Sequence, residues 1–137
     1  MELRDDVRAF LDEKRYGVLA TINSDGSPQQ SVMWYEPRGD IIMMNTLRGR
    51  KKDRNLQRDA RASVCVEDGS RYVTMEGTIT VIDDPAVAQA DIAALARRYS
   101  GPEEGDRMAR EVFGLQERRS LLLTIDRVDV HGFDDEE

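Results

Sequence analysis

The sequence predicts a mainly β domain in which six antiparallel strands form a small barrel decorated by helices. Strand-like apolar segments follow one another through turn-sized connections early in the chain, and the clearest helical periodicity comes late. Strands and helices therefore do not alternate as in a parallel fold, and no Gly-x-Gly-x-x-Gly motif follows a strand. A barrel also removes the edges that such apolar strands would otherwise expose.

The first half of the chain is predicted to hold one helix and three strands. Apolar residues recur at helical spacing in ELRDDVRAFLDEK (2–14), which predicts a short amphipathic helix. Turn residues in NSDGSP (23–28) and PRGD (37–40) separate the strands. The predicted strands are YGVLATI (16–22), QQSVMWYE (29–36) and DIIMMNT (40–46).

The second half is predicted to hold three strands and two helical segments. The strands are ARASVCVE (60–67), RYVTMEGTITVI (71–82) and RRSLLLTIDRVDVHGF (118–133). The alternation of the last strand slips near Asp126, which predicts a bend there. The segment DDPAVAQADIAALARRY (83–99) is the clearest helix, with Pro85 in its first turn. SGPEEG (100–105) breaks it, DRMAREVFGL (106–115) forms a second helical segment, and DDEE (134–137) is a solvated acidic tail.

The composition is that of one globular domain and excludes much familiar chemistry. Of 137 residues, 39% are hydrophobic and 34% charged, so we expect residues 1–137 to form a single domain. No apolar run approaches the ~18 residues of a membrane span, and the charged N-terminus lacks a secretory signal. The single cysteine excludes an internal disulfide and favours a cytoplasmic location. The chain also has only one histidine, so neither a zinc site nor a Cys/His nucleophile is expected.

Positive charge is concentrated in one segment of this acidic chain. The net charge is −7, yet six cations lie between Arg48 and Arg58, in a segment predicted to end there as a short helix. Three of them, Arg50, Lys51 and Lys52, fall at the helix start, where the macrodipole disfavours cations by ~0.3–1 kcal/mol each. Cations beside free helical N–H groups make a site for an anion, most naturally a phosphate.

Two other interpretations of this segment are open. An arginine-rich helix can simply present a solvated charged face. Nucleic-acid binding usually needs a basic domain, whereas this chain is net acidic and has no aromatic residue among the cations. A confined positive pocket on a negative protein suits a small phosphorylated ligand, and Arg54 and Arg58, on the same helix face as Arg50, would extend it toward a longer anionic tail.

Four segments resemble the pyridoxamine-5′-phosphate-oxidase-like, flavin-binding split β-barrels. They are GVLATINSDGSPQQSVMWYE, IIMMNT, RKKDRNLQRDARASVCVED and YVTMEGTITVI. Within that family the chain is most similar to the flavin/deazaflavin-dependent oxidoreductases of actinobacteria, the branch that uses coenzyme F420. The NL-RD-R-S spacing after the paired cations and the EG in the long strand are the most specific features. The similarity runs from about Tyr16 to Phe133.

The resemblance implies a homodimeric six-stranded split barrel with two cofactors at the subunit interface. It implies a reductase that passes a hydride from reduced F420 to an electron-poor double bond of a small molecule, in an enone, quinone or tetrapyrrole. It also implies cofactor contacts. The ring system would lie beside Ser31, Met33 and Trp34, and the ribityl chain and phosphate would lie near Asn45 and Thr46. Arg50, Lys51 and Lys52 would hold the phosphate, and Asn55 would fix the turn around the phosphate. Arg118 or Arg119 of the partner subunit would face the cofactor.

Alternatives to this assignment follow from the same residues. An FMN-dependent oxidase or reductase would use nearly the same pocket, and a non-catalytic cofactor or haem carrier would share the barrel, with His131 as its one available histidine. Trp34 suits core or dimer packing as well as ring contact, a methionine such as Met33 more often fills gaps in a core, and an asparagine such as Asn55 more often bonds local backbone than a ligand. No residue stands out as a catalytic acid, so we expect the cofactor to carry the chemistry and solvent to supply the proton.

Overall fold

The computed structural model describes residues 1–134, so most of the predicted acidic tail, residues 135–137, lies outside the described residues. The elements are α1 (Asp5–Asp12), β1 (Gly17–Ile22), β2 (Pro28–Met33), β3 (Glu36–Arg38), β4 (Ile41–Leu47), α2 (Lys51–Arg58), β5 (Arg61–Glu67), β6 (Tyr72–Ile82), α3 (Pro85–Ser100), α4 (Pro102–Glu111), a 3₁₀ turn (Phe113–Leu115) and β7 (Arg118–His131). None of the helices within residues 1–134 combines the length and the apolarity that crossing a membrane requires.

The strands form one antiparallel sheet in the order β2-β1-β5-β6-β7-β4-β3. The predicted class, mainly β with antiparallel pairing and helices inserted late, is confirmed. The predicted six-stranded barrel is wrong in its details. The sheet has seven strands, and its order ends at β2 and β3, which are not paired with each other within residues 1–134.

The seventh strand arises because the predicted strand 29–36 divides in two. Tyr35 is fully buried, and its hydroxyl donates to the carbonyl oxygen of Leu11 at 2.9 Å. Its backbone amide donates to the hydroxyl of Tyr99 at 3.1 Å instead of joining a strand ladder. The chain changes direction here, and Pro37 and Arg38, predicted as turn residues, pair with β4 as part of β3.

The predicted bend in the last strand is confirmed as a β-bulge. Glu76 of β6 pairs with Arg127, whereas the next residue, Gly77, pairs with Ile125. Asp126 is therefore an extra residue in β7, which shifts the side-chain alternation by one position. The bulge keeps both halves of β7 turned toward the core, through Leu121, Leu123 and Ile125 before it and Val128 and Val130 after it.

Helix α1 covers the main core and is tied to α3. Its apolar face, with Val7 and Phe10, is buried. The guanidinium of Arg98 on α3 donates to the carbonyl oxygens of Leu11 and Asp12 at 3.1 and 3.2 Å. Since the last carbonyl groups of a helix have no partner inside it, Arg98 satisfies the C-terminus of α1.

Helix α4 begins earlier than predicted, at Pro102 instead of residue 106, and ends at Glu111. Gly101 adopts φ +88° and separates it from α3, and Pro102 presets the first turn. A Cβ atom at Gly105 would lie 2.5 Å from the backbone nitrogen of Arg97, so glycine is needed where the helices cross. The break between the helices is thus one residue long.

Candidate cofactor site

Helix α2 follows β4 and is fixed at its first turn by a buried carboxylate. Asp53, 1% exposed, accepts from the Gly49 amide at 2.7 Å and from Gln57 Nε2 at 3.2 Å. It also pairs with Arg119 Nη1 at 2.7 Å, and Arg119 reaches Asp83 at 3.2 Å. Arg119 therefore belongs to the scaffold that positions the start of α2.

A cavity of about 380 Å³ lies where β2, β4 and β7 meet the start of α2. This volume is within the range of ~300–1,000 Å³ that is usual for small-molecule sites. The lining combines apolar and aromatic side chains with three cations, and within residues 1–134 it includes no carboxylate. It consists of Val32, Met33, Trp34, Asn45, Thr46, Leu47, Arg50, Lys52, Ile92, Phe113, Gln116 and Arg118.

The three cations of this cavity, Arg50, Lys52 and Arg118, form its cationic cluster. Burial, and then the charge of Arg50, lower the pKa of Arg118 to about 10. Burial, followed by the charges of Arg50 and Arg118, also lowers the pKa of Lys52. None of the three forms an ion pair within the described part of the chain. Like charges gathered without a counter-charge favour binding of an anion, which would offset their repulsion.

Arg118 is oriented by neutral groups, which leave its charge available. Its Nε donates to Asn45 Oδ1 at 2.7 Å and its Nη1 donates to Gln116 Oε1 at 2.6 Å. The guanidinium carbon lies 4.9 Å from the ring centroid of Phe113. Amide oxygens and an aromatic ring fix a guanidinium without neutralising it, so Arg118 can present its remaining N–H groups to a phosphate.

Six of the nine residues predicted to contact the cofactor line this cavity. They are Met33, Trp34, Asn45, Thr46, Arg50 and Lys52. The structure thus brings together side chains from the end of β2, the end of β4 and the start of α2.

The other three predicted residues, Ser31, Lys51 and Asn55, lie outside the cavity lining. Ser31 is half-buried on β2, and its hydroxyl faces the sulfur of Met33 at 3.8 Å. Lys51 lines a separate cleft that also includes Arg54 and Arg58. The buried amide of Asn55 donates to Thr21 Oγ1 at 3.1 Å and so ties α2 to β1.

The aromatic wall of the cavity is held in place from behind. Trp34 stacks on Tyr99 with ring centroids 5.2 Å apart and planes 5° apart. Phe113 meets Trp34 edge-on at 6.2 Å. The hydroxyl of Tyr99 donates to the backbone carbonyl of Arg15, so the stack is anchored at its far end. Trp34 therefore packs against Tyr99 and Phe113 and also lines the cavity. It is the single tryptophan of the chain.

Several lining residues could not be found from sequence patterns. Ile92, Phe113 and Gln116 come from α3 and from the segment after α4, and no local spacing connects them with β2 or β4. Val32 carried no such signal, because only the structure shows that this apolar side chain lines the cavity and is 68% exposed. The family resemblance implied that Arg118 or Arg119 of the partner subunit faces the cofactor; Arg118 lines the cavity of its own chain.

Cys65 and His131 lie in a different cavity, of about 440 Å³, together with Tyr72. Tyr72 stacks on His131 with ring centroids 5.3 Å apart. No group of three or more His, Cys, Asp or Glu side chains within residues 1–134 is arranged to hold a metal ion.

The chain belongs to the pyridoxamine 5′-phosphate oxidase family, whose sequence profile matches residues 3–132. It is 33% identical over 122 residues, 87% of each chain, to an F420H(2)-dependent biliverdin reductase of Mycobacterium tuberculosis (strain CDC 1551 / Oshkosh). The crystal structure of the conserved hypothetical protein Rv2991 from Mycobacterium tuberculosis matches it with a TM-score of 0.82 and 26% identity, over 100% of this chain and 92% of the other. A solved F420 reductase shares the fold, with a TM-score of 0.75 and 23% identity over 93% and 98% of the two chains. The resemblance seen in the sequence is confirmed.

Proposed function

We propose that the protein is a reductase that uses coenzyme F420 to deliver a hydride to an electron-poor double bond of a small molecule. The observation that carries the proposal is the cationic cluster, in which the pKa values of Lys52 and Arg118 are lowered and no carboxylate within residues 1–134 lines the cavity, so that the cluster calls for a bound anion. A tetrapyrrole is the first substrate class to test, because a relative 33% identical to this chain is named for biliverdin reduction. Enones and quinones contain the same kind of double bond.

The cavity suits the coenzyme's phosphate and ring system. Arg50, Lys52 and Arg118 would hold the phosphate, together with N–H groups of the first turn of α2, which has no side-chain cap. Asn45 and Thr46 would lie along the chain that joins phosphate to ring. Outside the lining, Ser31 would support the ring side, Asn55 would fix the turn, and Lys51 would lie along a longer anionic tail. These side chains suit FMN as well, which carries the same phosphate.

The protein's own contribution is binding, orientation and exclusion of water. Reduced F420 supplies the hydride when bound. Trp34 and Met33 would limit the ring's freedom, because Trp34 is fixed by its stack on Tyr99. Within residues 1–134 the lining offers no carboxylic acid, histidine, cysteine or tyrosine, so in this proposal the proton comes from solvent and no side chain is catalytic.

The proposal includes a homodimer in which a second copy closes the open side of the cavity. Val32 supports it, because this side chain lines the cavity and yet is 68% exposed in the single chain. Sedimentation equilibrium is expected to give about twice the chain mass of 15.6 kDa. A monomer with full coenzyme affinity would contradict this part of the proposal.

Titration with F420 and with FMN, followed by the fluorescence of Trp34, tests the coenzyme. We expect F420 to quench Trp34 and to bind at least about tenfold more tightly than FMN, a difference of about 1.4 kcal/mol. Reduced F420 should then be oxidised when biliverdin is added. Comparable weak binding of both coenzymes would contradict the proposal, and tight binding of FMN alone would select an FMN-dependent oxidase or reductase.

The affinity for the coenzyme is expected to fall as the pH rises through the lowered pKa of Lys52. Protonated Lys52 binds the anion, and the bound anion raises its pKa, so binding takes up protons between the free and bound values. Affinity should therefore decline at a pH below lysine's ordinary value of 10.5. In a Lys52→Arg variant this decline should move to higher pH. Coenzyme titrations from about pH 7 to about pH 10 in both proteins measure it, and identical pH profiles would contradict a role for Lys52.

A further inference from the structure

A chain of polar side chains runs from helix α3 to Arg118. Ser120 Oγ donates to Asp91 Oδ2 at 2.5 Å. Asn45 Nδ2 donates to the carbonyl oxygen of Ala88 at 3.0 Å and makes a longer contact of 3.5 Å to Ser120 Oγ. Asn45 Oδ1 in turn accepts from Arg118 Nε at 2.7 Å. Asp91, Ser120 and Asn45 are all buried.

The fold places these groups together. Asn45 of β4 and Ser120 of β7 are directly opposite each other in the antiparallel pair, so their side chains share one face. Ala88 and Asp91 are three residues apart on α3 and present an acceptor each to that face. Helix α3 therefore supplies two acceptors, the carbonyl oxygen of Ala88 for Asn45 and the carboxylate of Asp91 for Ser120.

These contacts dictate the orientation of the Asn45 amide. Since the Ser120 proton is committed to the Asp91 carboxylate, Ser120 Oγ offers only lone pairs to Asn45. Both neighbours of the amide nitrogen, Ala88 O and Ser120 Oγ, are then acceptors, and the amide oxygen is left facing Arg118. If the Ser120 proton pointed toward Asn45 instead, the amide would have reason to flip and would set a donor against the Arg118 N–H.

Asp91 remains an acceptor because its other oxygen is occupied. Arg38 Nη1 pairs with Asp91 Oδ1 at 2.8 Å. A carboxylate in this position has no proton of its own to offer Ser120, so the direction of the Ser120 hydrogen bond is fixed. The charge of Asp91 is matched by Arg38, and the charge of Arg118 is not offset through this route.

We propose that Asp91 is a positioning residue for the cationic cluster: acting through Ser120 and Asn45, it sets the orientation of Arg118. The inference rests on the proposed function, because it concerns how the anion-binding cavity is kept ready for a phosphate. Asp91 touches neither the cavity nor its ligand, and its effect depends on the presence of Arg118.

A double-mutant cycle in the full-length chain tests the inference, with calorimetric titrations of F420 and of inorganic pyrophosphate. Asp91→Asn is expected to weaken binding of both by about tenfold, and Arg118→Gln by about a hundredfold. In the Arg118→Gln background, Asp91→Asn should cost no more than about twofold, because the side chain it orients is gone. Ser120→Ala, a milder change, should give a smaller loss that also vanishes without Arg118.

A second readout reports on Arg118 directly. The Nε–H resonance of Arg118, assigned by its absence in Arg118→Lys, should shift or broaden in Asp91→Asn. Asp106→Asn on α4, an exposed carboxylate with an ion pair of its own, is the matched control and should change neither readout. Additive losses, or an unmoved Arg118 resonance in a folded Asp91→Asn protein, would overturn the inference. Coupling seen with pyrophosphate while F420 fails to bind would uphold it and instead refute the proposed coenzyme.

Discussion

Lys52→Glu is expected to abolish coenzyme binding, with a loss of at least about a hundredfold in affinity. The substitution places a carboxylate between Arg50 and Arg118, where it would pair with both and repel a phosphate. Like charges brought together at a binding site cost several kcal/mol. Because the new carboxylate also relieves the repulsion within the cationic cluster, the ligand-free variant should unfold at the same or a higher temperature.

Lys51→Glu is the matched control for this prediction. It makes the same change of charge one residue earlier on the same helix, at an exposed position outside the cavity lining. An acidic side chain suits the first turn of a helix, so stability should be retained. We expect its affinity for coenzyme to fall by no more than about threefold, because Lys51 would meet only the tail, at an exposed position where solvent and salt screen the charge. Fluorescence titration of both variants measures the difference, and equal losses would place the anion on the α2 surface as a whole.

Gly77→Ala is expected to destabilise the protein by about 3 kcal/mol or more, or to prevent folding. A Cβ atom at this position would lie 1.8 Å from the backbone oxygen and 2.9 Å from the carbonyl carbon of Thr124. These are backbone atoms of β7 beside the bulge, so no side chain can move aside. Gly77 is required for space, since β6 and β7 approach each other closely where Asp126 is inserted.

Urea unfolding of Gly77→Ala and of Thr78→Ala measures this effect. Thr78 is the next residue of the same strand and is exposed, so its truncation should cost less than about 1 kcal/mol. A Gly77→Ala protein with unchanged stability would show that the two strands separate easily at the bulge.

The sequence predicted those parts of the fold that depend on local periodicity. The strands, the helix α3 and the bend at Asp126 all follow from residues near one another in the chain. The division of the second strand at Tyr35 does not, because it depends on a hydrogen bond to Tyr99, 64 residues away. The early start of α4, in contrast, has local signals, Gly101 at positive φ and Pro102 in the first turn; only the close packing of Gly105 against Arg97 needs the tertiary structure.

The sequence predicted the kind of candidate site, one that binds an anion, better than it predicted which residues line the site. Clustered cations at a helix start indicated an anion site, and Arg50 and Lys52 do lie in the cavity. Which cation faces inward depends on the phase of α2, since neighbouring residues differ by ~100° around a helix. This difference of one position places Lys52 in the cavity lining and Lys51 in a separate cleft. The contributions of Phe113 and Gln116 needed the tertiary structure.

Arg118 and Arg119 are neighbours in the chain but have different structural roles. Because side chains alternate along β7, Arg118 faces the cavity and Arg119 faces the buried carboxylate of Asp53. Loss of Arg119 would leave that carboxylate without its ion-pair partner, at a cost of about 3–5 kcal/mol, whereas the partners of Arg118 are the neutral side chains of Asn45, Gln116 and Phe113. A substitution at position 118 is therefore expected to change ligand affinity more than stability, whereas a substitution at position 119 is expected to disturb the start of α2.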